Sequence, residues 1–250
     1  MRATISLHDK LYNLDFSKPI DISIPLKSGA NNPIAWYIDA PNIEPVKEGK
    51  WVAKVSEGAA INFNNIQFNP HGHGTHTECV GHITEKVHSI NECLKTFFFS
   101  AEVITVVPES HGDDYVITKK QVSKALAGKS PEAVVIRTLP NTSGKLKRNW
   151  CHSNWPYLLE DAVVFFRESG IKHLLIDLPS VDKEKDDGVL ASHNAFWNTA
   201  GKLRMDATIT EMIFVPHTLR DGSYLLNLQI ASFENDASPS KPVLYELEQS

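Results

Sequence analysis

Runs of apolar residues divide the chain into an irregular first third and a regular remainder. The first third is rich in Pro, Asn and Gly, and its pattern predicts two short strands, at 21–26 and 51–55. Later apolar runs predict further strands, and those at 97–107 and 133–138 have the pattern of buried strands. These predicted strands lie at 97–107, 133–138, 171–177, 208–215 and 224–232.

Helical spacing predicts three helices between these strands. The first, at 118–127, begins with Thr118 and Gln121 in the arrangement of a capping box. The other two are predicted at 158–169 and 192–203. Alternating strands and helices indicate an α/β core whose strands pair at least partly in parallel.

Composition narrows the class of protein without giving a function. The 250 residues, 42% hydrophobic and 22% charged, suit one globular domain, which we expect to span residues 1–250. A net charge of −5 argues against nucleic acid or an anionic membrane as a partner, and no apolar run reaches the roughly 20 residues of a membrane helix. The start lacks the apolar core of a signal peptide, and the three cysteines match no zinc-finger spacing. We therefore expect a cytoplasmic protein with free thiols.

The strongest chemical signal is the segment 71–82, which holds four of the chain's 11 histidines and one carboxylate. Histidine is the commonest metal ligand and titrates near neutral pH. If the segment is extended, His76, Glu78 and His82 point to one side. Two imidazoles and a carboxylate suit a divalent ion such as zinc or manganese. The ion would activate water, and a histidine outside the metal site would move the proton.

The same segment resembles the signature of the cyclase-like metal-dependent hydrolases, a family that includes bacterial kynurenine formamidases and isatin hydrolases. Residues 74–82 read Gly-Thr-His-x-Glu-x-x-x-His, and the usual form in the family is His-x-Gly-Thr-His-x-Asp-x-Pro-x-His. Further similarities follow in the order of the family between residues 20 and 245. They are an Asp-Ile-Ser segment at 21–23 with Trp36 after it, a strand at 135–138, a run at 170–182 and a strand at 210–213.

The resemblance implies a fold and a set of roles. The implied fold is α/β, of the swivelling β/β/α type, with a mixed sheet or barrel-like core and outer helices. His82 would be the general acid and base, and Trp36 would line the substrate pocket. The family also implies a homo-oligomer, either a dimer or a tetramer. The implied metal ligands are His76, Glu78, His193 and Glu211.

The segment departs from the family pattern at two positions that bear on the metal. The first metal histidine of the family lies four residues before His76, where this chain has Gly72. On an ideal strand His71 and His73 both face away, so a bulge would have to re-aim one of them, and we favour His71. The aspartate of the family is Glu78 here, one methylene longer. These departures leave open whether one or two ions bind.

We therefore predict a metal-dependent hydrolase that cleaves an amide C–N bond in a small N-formyl (arylformamidase-like) or cyclic amide substrate. Zinc or manganese, as one or two ions, would be the cofactor. The expected partners of the protein are a small-molecule substrate and further copies of the same chain. Two alternatives stay open: a non-catalytic relative that binds a small molecule, which Gly72 favours, and a metal-dependent lactonase or lyase.

Several other polar residues allow two interpretations. Arg137, at the end of a predicted strand, could hold a substrate carboxylate or pair with a structural acid such as Asp177. His152 could line the pocket or lie in a surface loop. The basic cluster at 145–148 is interpreted as a solvated loop, and Cys79 as a free thiol inside the histidine-rich segment.

Overall fold

The computed structural model describes residues 1–7 and 9–249. The first seven strands are short: β1 (Arg2–Leu7), β2 (Lys10–Asp15), β3 (Ile20–Asp21), β4 (Asn42–Pro45), β5 (Lys47–Glu48), β6 (Trp51–Val52) and β7 (Asn64–Gln67). The strands that follow are β8 (His76–Glu78), β9 (Phe98–Val106), β10 (Glu109–His111), β11 (Asp114–Ile117), β12 (Ala133–Thr138), β13 (Tyr157–Leu158), β14 (His173–Ile176), β15 (Thr208–Glu211), β16 (Gly222–Asn227), β17 (Ala237–Pro239), β18 (Val243–Glu246) and β19 (Glu248–Gln249).

Four α-helices complete the described structure: α1 (Ile90–Cys93), α2 (Lys119–Leu126), α3 (Glu160–Glu168) and α4 (Ala191–Trp197). Within residues 1–7 and 9–249, no helix combines the length and the apolar character needed to cross a membrane.

Nine strands form one curled, mixed sheet in the order β17-β8-β15-β14-β12-β9-β16-β18-β3. Its centre, from β15 to β9, is parallel, and the strands on both sides of this centre are antiparallel. Side chains of α2, α3 and α4 pack on one face of the sheet. The predicted α/β class, with a mixed sheet and outer helices, is confirmed.

The central strands are buried on both faces, which explains their uninterrupted apolar sequences. Along β12, Val134 and Ile136 pack toward the helices, whereas Ala133 and Val135 pack into a second core on the other face. Parallel pairing also brings the carboxyl ends of β12, β14 and β15 to one edge of the sheet, where α/β proteins place their sites.

The predicted helix at 118–127 agrees with α2, including its cap. The Thr118 hydroxyl accepts a hydrogen bond from the backbone N–H of Gln121, and the Gln121 side chain accepts one from the N–H of Thr118. Two donors that a helix start leaves unpaired are therefore satisfied by local sequence.

Other predicted elements are too long. The helix predicted at 192–203 ends at Trp197 because Asn198 is left-handed, with φ of 55°. The strand predicted at 208–215 ends at Glu211, since Met212 has φ of 52°. The early strands predicted at 21–26 and 51–55 pair only at Ile20–Asp21 and Trp51–Val52.

The prediction that the basic cluster is solvated is wrong for Lys145, whereas Arg137 pairs with a structural acid, one of the two interpretations left open by the sequence. Lys145 is buried instead of solvated, because its ammonium binds Asp177 at 2.7 Å and the Thr138 hydroxyl at 2.7 Å. With Asp177 taken, Arg137 pairs with Asp221 at 2.8 Å. Both cations therefore hold strand ends together, and neither lines the candidate site described below.

His173 makes the stability of the fold sensitive to acid. Burial lowers the pKa of His173 to about 3, because the ring lies against Phe99 and only Thr208 is hydrogen-bonded to its Nδ1. In the unfolded chain this histidine binds a proton near pH 6.5, whereas in the folded chain it stays neutral down to about pH 3. The contribution of neutral His173 to the unfolding free energy is therefore complete above pH 6.5 and is lost as pH falls from 6.5 toward 3. We expect His173 alone to cost about 2 kcal/mol of unfolding free energy between pH 7 and pH 5.

Urea unfolding at pH 7, 6 and 5 measures this effect. His173→Asn should lower stability at pH 7 and flatten the pH dependence, whereas the exposed control His111→Asn should leave the slope unchanged. An equal slope for His173→Asn and the unmodified chain would contradict the assignment.

Candidate functional site

The histidine-rich segment is extended only in its middle. β8, from His76 to Glu78, pairs with β15 on one side and β17 on the other. A 3-10 turn at Val80–His82 follows, so a turn and not strand alternation places His82. Gly81 permits this turn, since a Cβ there would lie 2.1 Å from the carbonyl oxygen of His88.

The fold brings the five predicted metal residues together, with three histidines around two buried carboxylates. Strand register sets Glu211 opposite His76, with 3.4 Å between His76 Nε2 and Glu211 Oε2. Glu78 lies at the centre of the group. Its carboxylate oxygens lie 3.0 Å from His193 Nε2, 3.1 Å from His71 Nδ1 and 3.8 Å from His82 Nε2.

Hydrogen bonds fix which ring nitrogens face the centre. The Nδ1–H of His76 donates to the carbonyl of Gly74 at 2.9 Å, which leaves Nε2 as a lone pair. The Nδ1–H of His193 donates to Asp182 at 2.5 Å and leaves its Nε2 toward Glu78. A histidine that binds a metal has such a partner on its other nitrogen.

The centre contains polar atoms without partners, and these test whether a cation fits. His76 Nε2 and Glu78 Oε2 are buried and make no hydrogen bond, because the nearby His71 ring is not aligned to donate to Glu78. Unpaired buried polar atoms are costly, so an arrangement that retains them indicates a missing partner. Ligand atoms of His71, His76 and Glu78 lie within 4.8 Å of one another. This imidazole and carboxylate set fits a divalent ion.

The site is strongly electronegative, which favours a cation. Burial opposes charge on His71, but the hydrogen bond to Asp236 and the nearby negative charge of Glu78 prevail and raise its pKa to about 10. Burial likewise opposes ionisation of Glu78, yet His82 and His193 hold the pKa of this carboxyl well below its usual range. A metal ion would compete with protons for these groups.

A pocket of about 280 Å³ opens onto the cluster. His71, His82, His193 and Glu211 form one wall, and apolar side chains that include Trp36 form the other. Trp36 is left-handed, with φ of 63°, and its ring packs edge-on against Trp155 at 5.1 Å. Tight packing therefore holds this strained residue at the pocket.

The structure separates the roles of His71 and His73. His71 enters the cluster, whereas His73 turns away. The ring of His73 accepts a hydrogen bond from the N–H of Asn69 at 2.8 Å and donates one to the carbonyl of Asp39 at 2.7 Å. Both ring nitrogens of His73 are therefore used in holding the loop.

A histidine at position 72, as in the family pattern, would require the Ile38 side chain to move. A Cβ on Gly72 would lie 2.3 Å from the Ile38 side chain and 3.3 Å from the carbonyl oxygen of Ala35. The backbone also pairs here, because Ala35 N–H donates to the Gly72 carbonyl at 3.0 Å. The glycine is thus required for close packing between two loops.

Sequence reasoning missed two carboxylates of the site. Asp182 lies in the run at 170–182 that resembles the family, and it binds His193. Asp236 contacts both His71 and His82, and nothing in its neighbourhood of the sequence signals this. The ring of His152 packs at an angle of 55° against Tyr37, and His152 is not among the described residues that line the pocket. Cys79 is buried with its thiol toward the His88 carbonyl.

The chain is similar to known proteins along most of its length. A family model described as a putative cyclase matches residues 20–183. Kynurenine formamidases from Bacillus thuringiensis (strain Al Hakam) and Bacillus anthracis are each 30% identical to the chain over 233 residues, covering 91% of this chain and 97% of theirs.

Solved structures share the fold. Isatin hydrolase A from Labrenzia aggregata superposes with a TM-score of 0.69 at 17% identity, covering 92% of this chain and 94% of that one. A potential metal-dependent hydrolase with cyclase activity gives 0.65 at 16% identity, with 91% and 97% covered. The predicted architecture is confirmed by these neighbours.

Proposed function

This chain belongs to the cyclase family, and on that premise we propose that it is a metal-dependent hydrolase of the amide C–N bond in a small N-formyl or cyclic amide. The observation that carries the proposal is a pair of buried atoms, His76 Nε2 and Glu78 Oε2, which have no hydrogen-bond partner among the described residues. They lie next to Glu211 and His71, two residues that line the pocket. The formamidase names of the relatives support the amide bond as the target.

The proposed metal ligands are the residues whose side chains meet around Glu78 and Glu211. His71, His76 and Glu78 offer one ligand atom each, and His193 and Glu211 complete the set. Zinc or manganese, as one or two ions, suits these donors. A bound ion of this kind lowers the pKa of water and polarises a carbonyl group.

His82 is the proposed acid and base. The carboxylate of Asp236 accepts the Nδ1–H of His82 at 3.1 Å, which leaves Nε2 able to take a proton. The side chain is 30% exposed and lies on the pocket wall, so a substrate can reach it. His82 would take a proton from the attacking water and give it to the leaving nitrogen.

The pocket favours a small and planar substrate. Its volume of about 280 Å³ is at the lower end for ligand sites. Trp36, Ile38 and Leu190 provide an apolar wall against which a flat ring can pack. None of the described residues that line the pocket is a lysine or arginine, so a substrate carboxylate could bind only to an imidazole or to the proposed ion.

Metal content and a substrate screen test the proposal. The purified protein should contain stoichiometric zinc or manganese, or acquire it after chelation, when measured by inductively coupled plasma mass spectrometry. Loaded protein should hydrolyse N-formyl aromatic amines or cyclic imides faster than lactones. Protein that takes up neither metal would overturn the proposal, and a preference for lactones would favour the lactonase alternative.

Single substitutions distinguish His71 from His73. His71→Ala should weaken zinc affinity by about 100-fold or more, since it removes a proposed ligand. His73→Ala should leave zinc affinity nearly unchanged but lower the unfolding free energy by about 1–3 kcal/mol, because Asn69 N–H loses its acceptor. Competition with a chromophoric chelator and urea unfolding measure the two quantities. The reverse result would move the ligand role to His73.

The cytoplasmic location and the homo-oligomer stay predictions. Fractionation of cells and light scattering of the purified protein would test them.

A further inference from the structure

We propose that Asp236 is a positioning residue that fixes, through one carboxylate oxygen, both the proposed metal ligand His71 and the proposed acid and base His82. Its importance for catalysis rests on the proposed function. Its effect on the two imidazole rings does not, and can be measured without a substrate.

Both contacts are made by the same atom. Asp236 Oδ2 lies 2.8 Å from His71 Nε2 and 3.1 Å from His82 Nδ1. The two rings stack, with 4.3 Å between centroids and 27° between planes. Two stacked imidazoles repel each other when they carry protons, and a carboxylate that accepts from both offsets this repulsion. The stack and the carboxylate therefore form one unit.

The contacts determine which nitrogens are available. A carboxylate only accepts hydrogen bonds, so it selects the Nδ1–H form of His82 and leaves Nε2 as the base. On His71 it binds Nε2–H and directs Nδ1 toward Glu78. Without Asp236, the His82 proton could occupy Nε2, the nitrogen that the reaction needs free.

Strand pairing sets Asp236 in this place. The residue directly precedes β17, in which Ala237 lies opposite Glu78 of β8. The carbonyl of Asp236 also accepts a hydrogen bond from the N–H of Cys79 at 3.0 Å. Because the same backbone pairing fixes Glu78 and Asp236, the Asp236 carboxylate is held at a constant distance from the cluster. Asp236 thereby compensates for the missing histidine at position 72, because it orients the neighbouring His71 as a ligand.

Asp236→Asn tests the proposal, with Glu234→Gln as the matched control. Glu234 is exposed, lies two residues away and binds only Asn91 among the described hydrogen bonds, so the control removes a similar charge from the same segment. The variant should lower kcat by about 10- to 100-fold with KM changed less than about threefold, and weaken zinc affinity by about 10- to 100-fold. The control should change none of these.

Nitrogen-15 NMR of the histidine rings gives a readout that a merely structural role would not move. In the unmodified chain, with its ring neutral, His82 should carry its proton on Nδ1, and in Asp236→Asn the Nε2–H form should gain population. If neutral His82 in the unmodified chain carried no proton on Nδ1, the proposal would be overturned, even if the variant did not fold. Unchanged ring signals, kcat and zinc affinity in a folded variant would also overturn it. A chain without hydrolase activity but with the expected ring signals would reject the proposed function and keep the role of Asp236.

Discussion

Glu78→Gln is expected to abolish tight zinc binding and to reduce hydrolysis by about 10³-fold or more. Glu78 lies at the centre of the cluster, where three imidazoles approach its two oxygens within 3.0 to 3.8 Å. Glutamine has nearly the same shape, but it is neutral and carries a donor where the carboxylate offers a lone pair. The change therefore removes charge and a ligand atom from a site that depends on both.

The measurements for Glu78→Gln are zinc affinity by chelator competition and kcat/KM on the substrate found in the screen. Glu102→Gln is the matched control, because Glu102 is also buried but binds Lys129 and Ser223 far along the sheet. Glu102→Gln should lower the unfolding free energy and leave zinc affinity unchanged. Zinc affinity of Glu78→Gln equal to that of the unmodified chain would remove Glu78 from the metal site.

His82→Ala is expected to lower kcat by about 10²- to 10⁴-fold while zinc affinity changes only a few-fold. The His82 ring is 3.8 Å from the nearest Glu78 oxygen and is partly open to the pocket, which suits proton transfer better than metal binding. Loss of activity with metal retained therefore separates an acid and base from a ligand.

Equilibrium dialysis with zinc, followed by steady-state kinetics, distinguishes these outcomes. The exposed His217→Ala serves as the control for removing an imidazole. Loss of zinc from His82→Ala in proportion to its loss of activity would assign His82 to the metal instead. Full activity in His82→Ala would exclude its role in proton transfer.

Local sequence predicts the centre of the fold because local pattern and burial coincide there. The mostly apolar strands β9, β12 and β14 are buried on both faces, so their apolar character is enough to identify them. At element ends the prediction is poor, because single left-handed residues such as Asn198 and Met212 stop an element that its side chains would continue. Early strands are short for a related reason, since few of their residues find a pairing partner.

The site was predictable in part for a different reason. His76 and Glu78 belong to one strand and share a face, which spacing alone can indicate. His193 and Glu211 lie more than 100 positions away, so only the family resemblance connects them to the cluster. Asp236 arrives through the register of β17 on β8, a long-range pairing that leaves no local pattern. Lys145 was misassigned because a lysine in a basic run is usually solvated, and its buried partner Asp177 is 32 positions away.

The packing around Gly72 limits how this chain could exchange motifs with its relatives during evolution. A histidine at position 72 requires the volume that the Ile38 side chain now fills. A single substitution at 72 therefore requires the Ile38 side chain to move, and a smaller residue at 38 would provide the space. Ile38 also lines the pocket, so this permissive step would itself enlarge the space for substrate. The Ile38 side chain therefore links the backbone packing at position 72 to the size of the pocket, so a change at one is expected to alter the other.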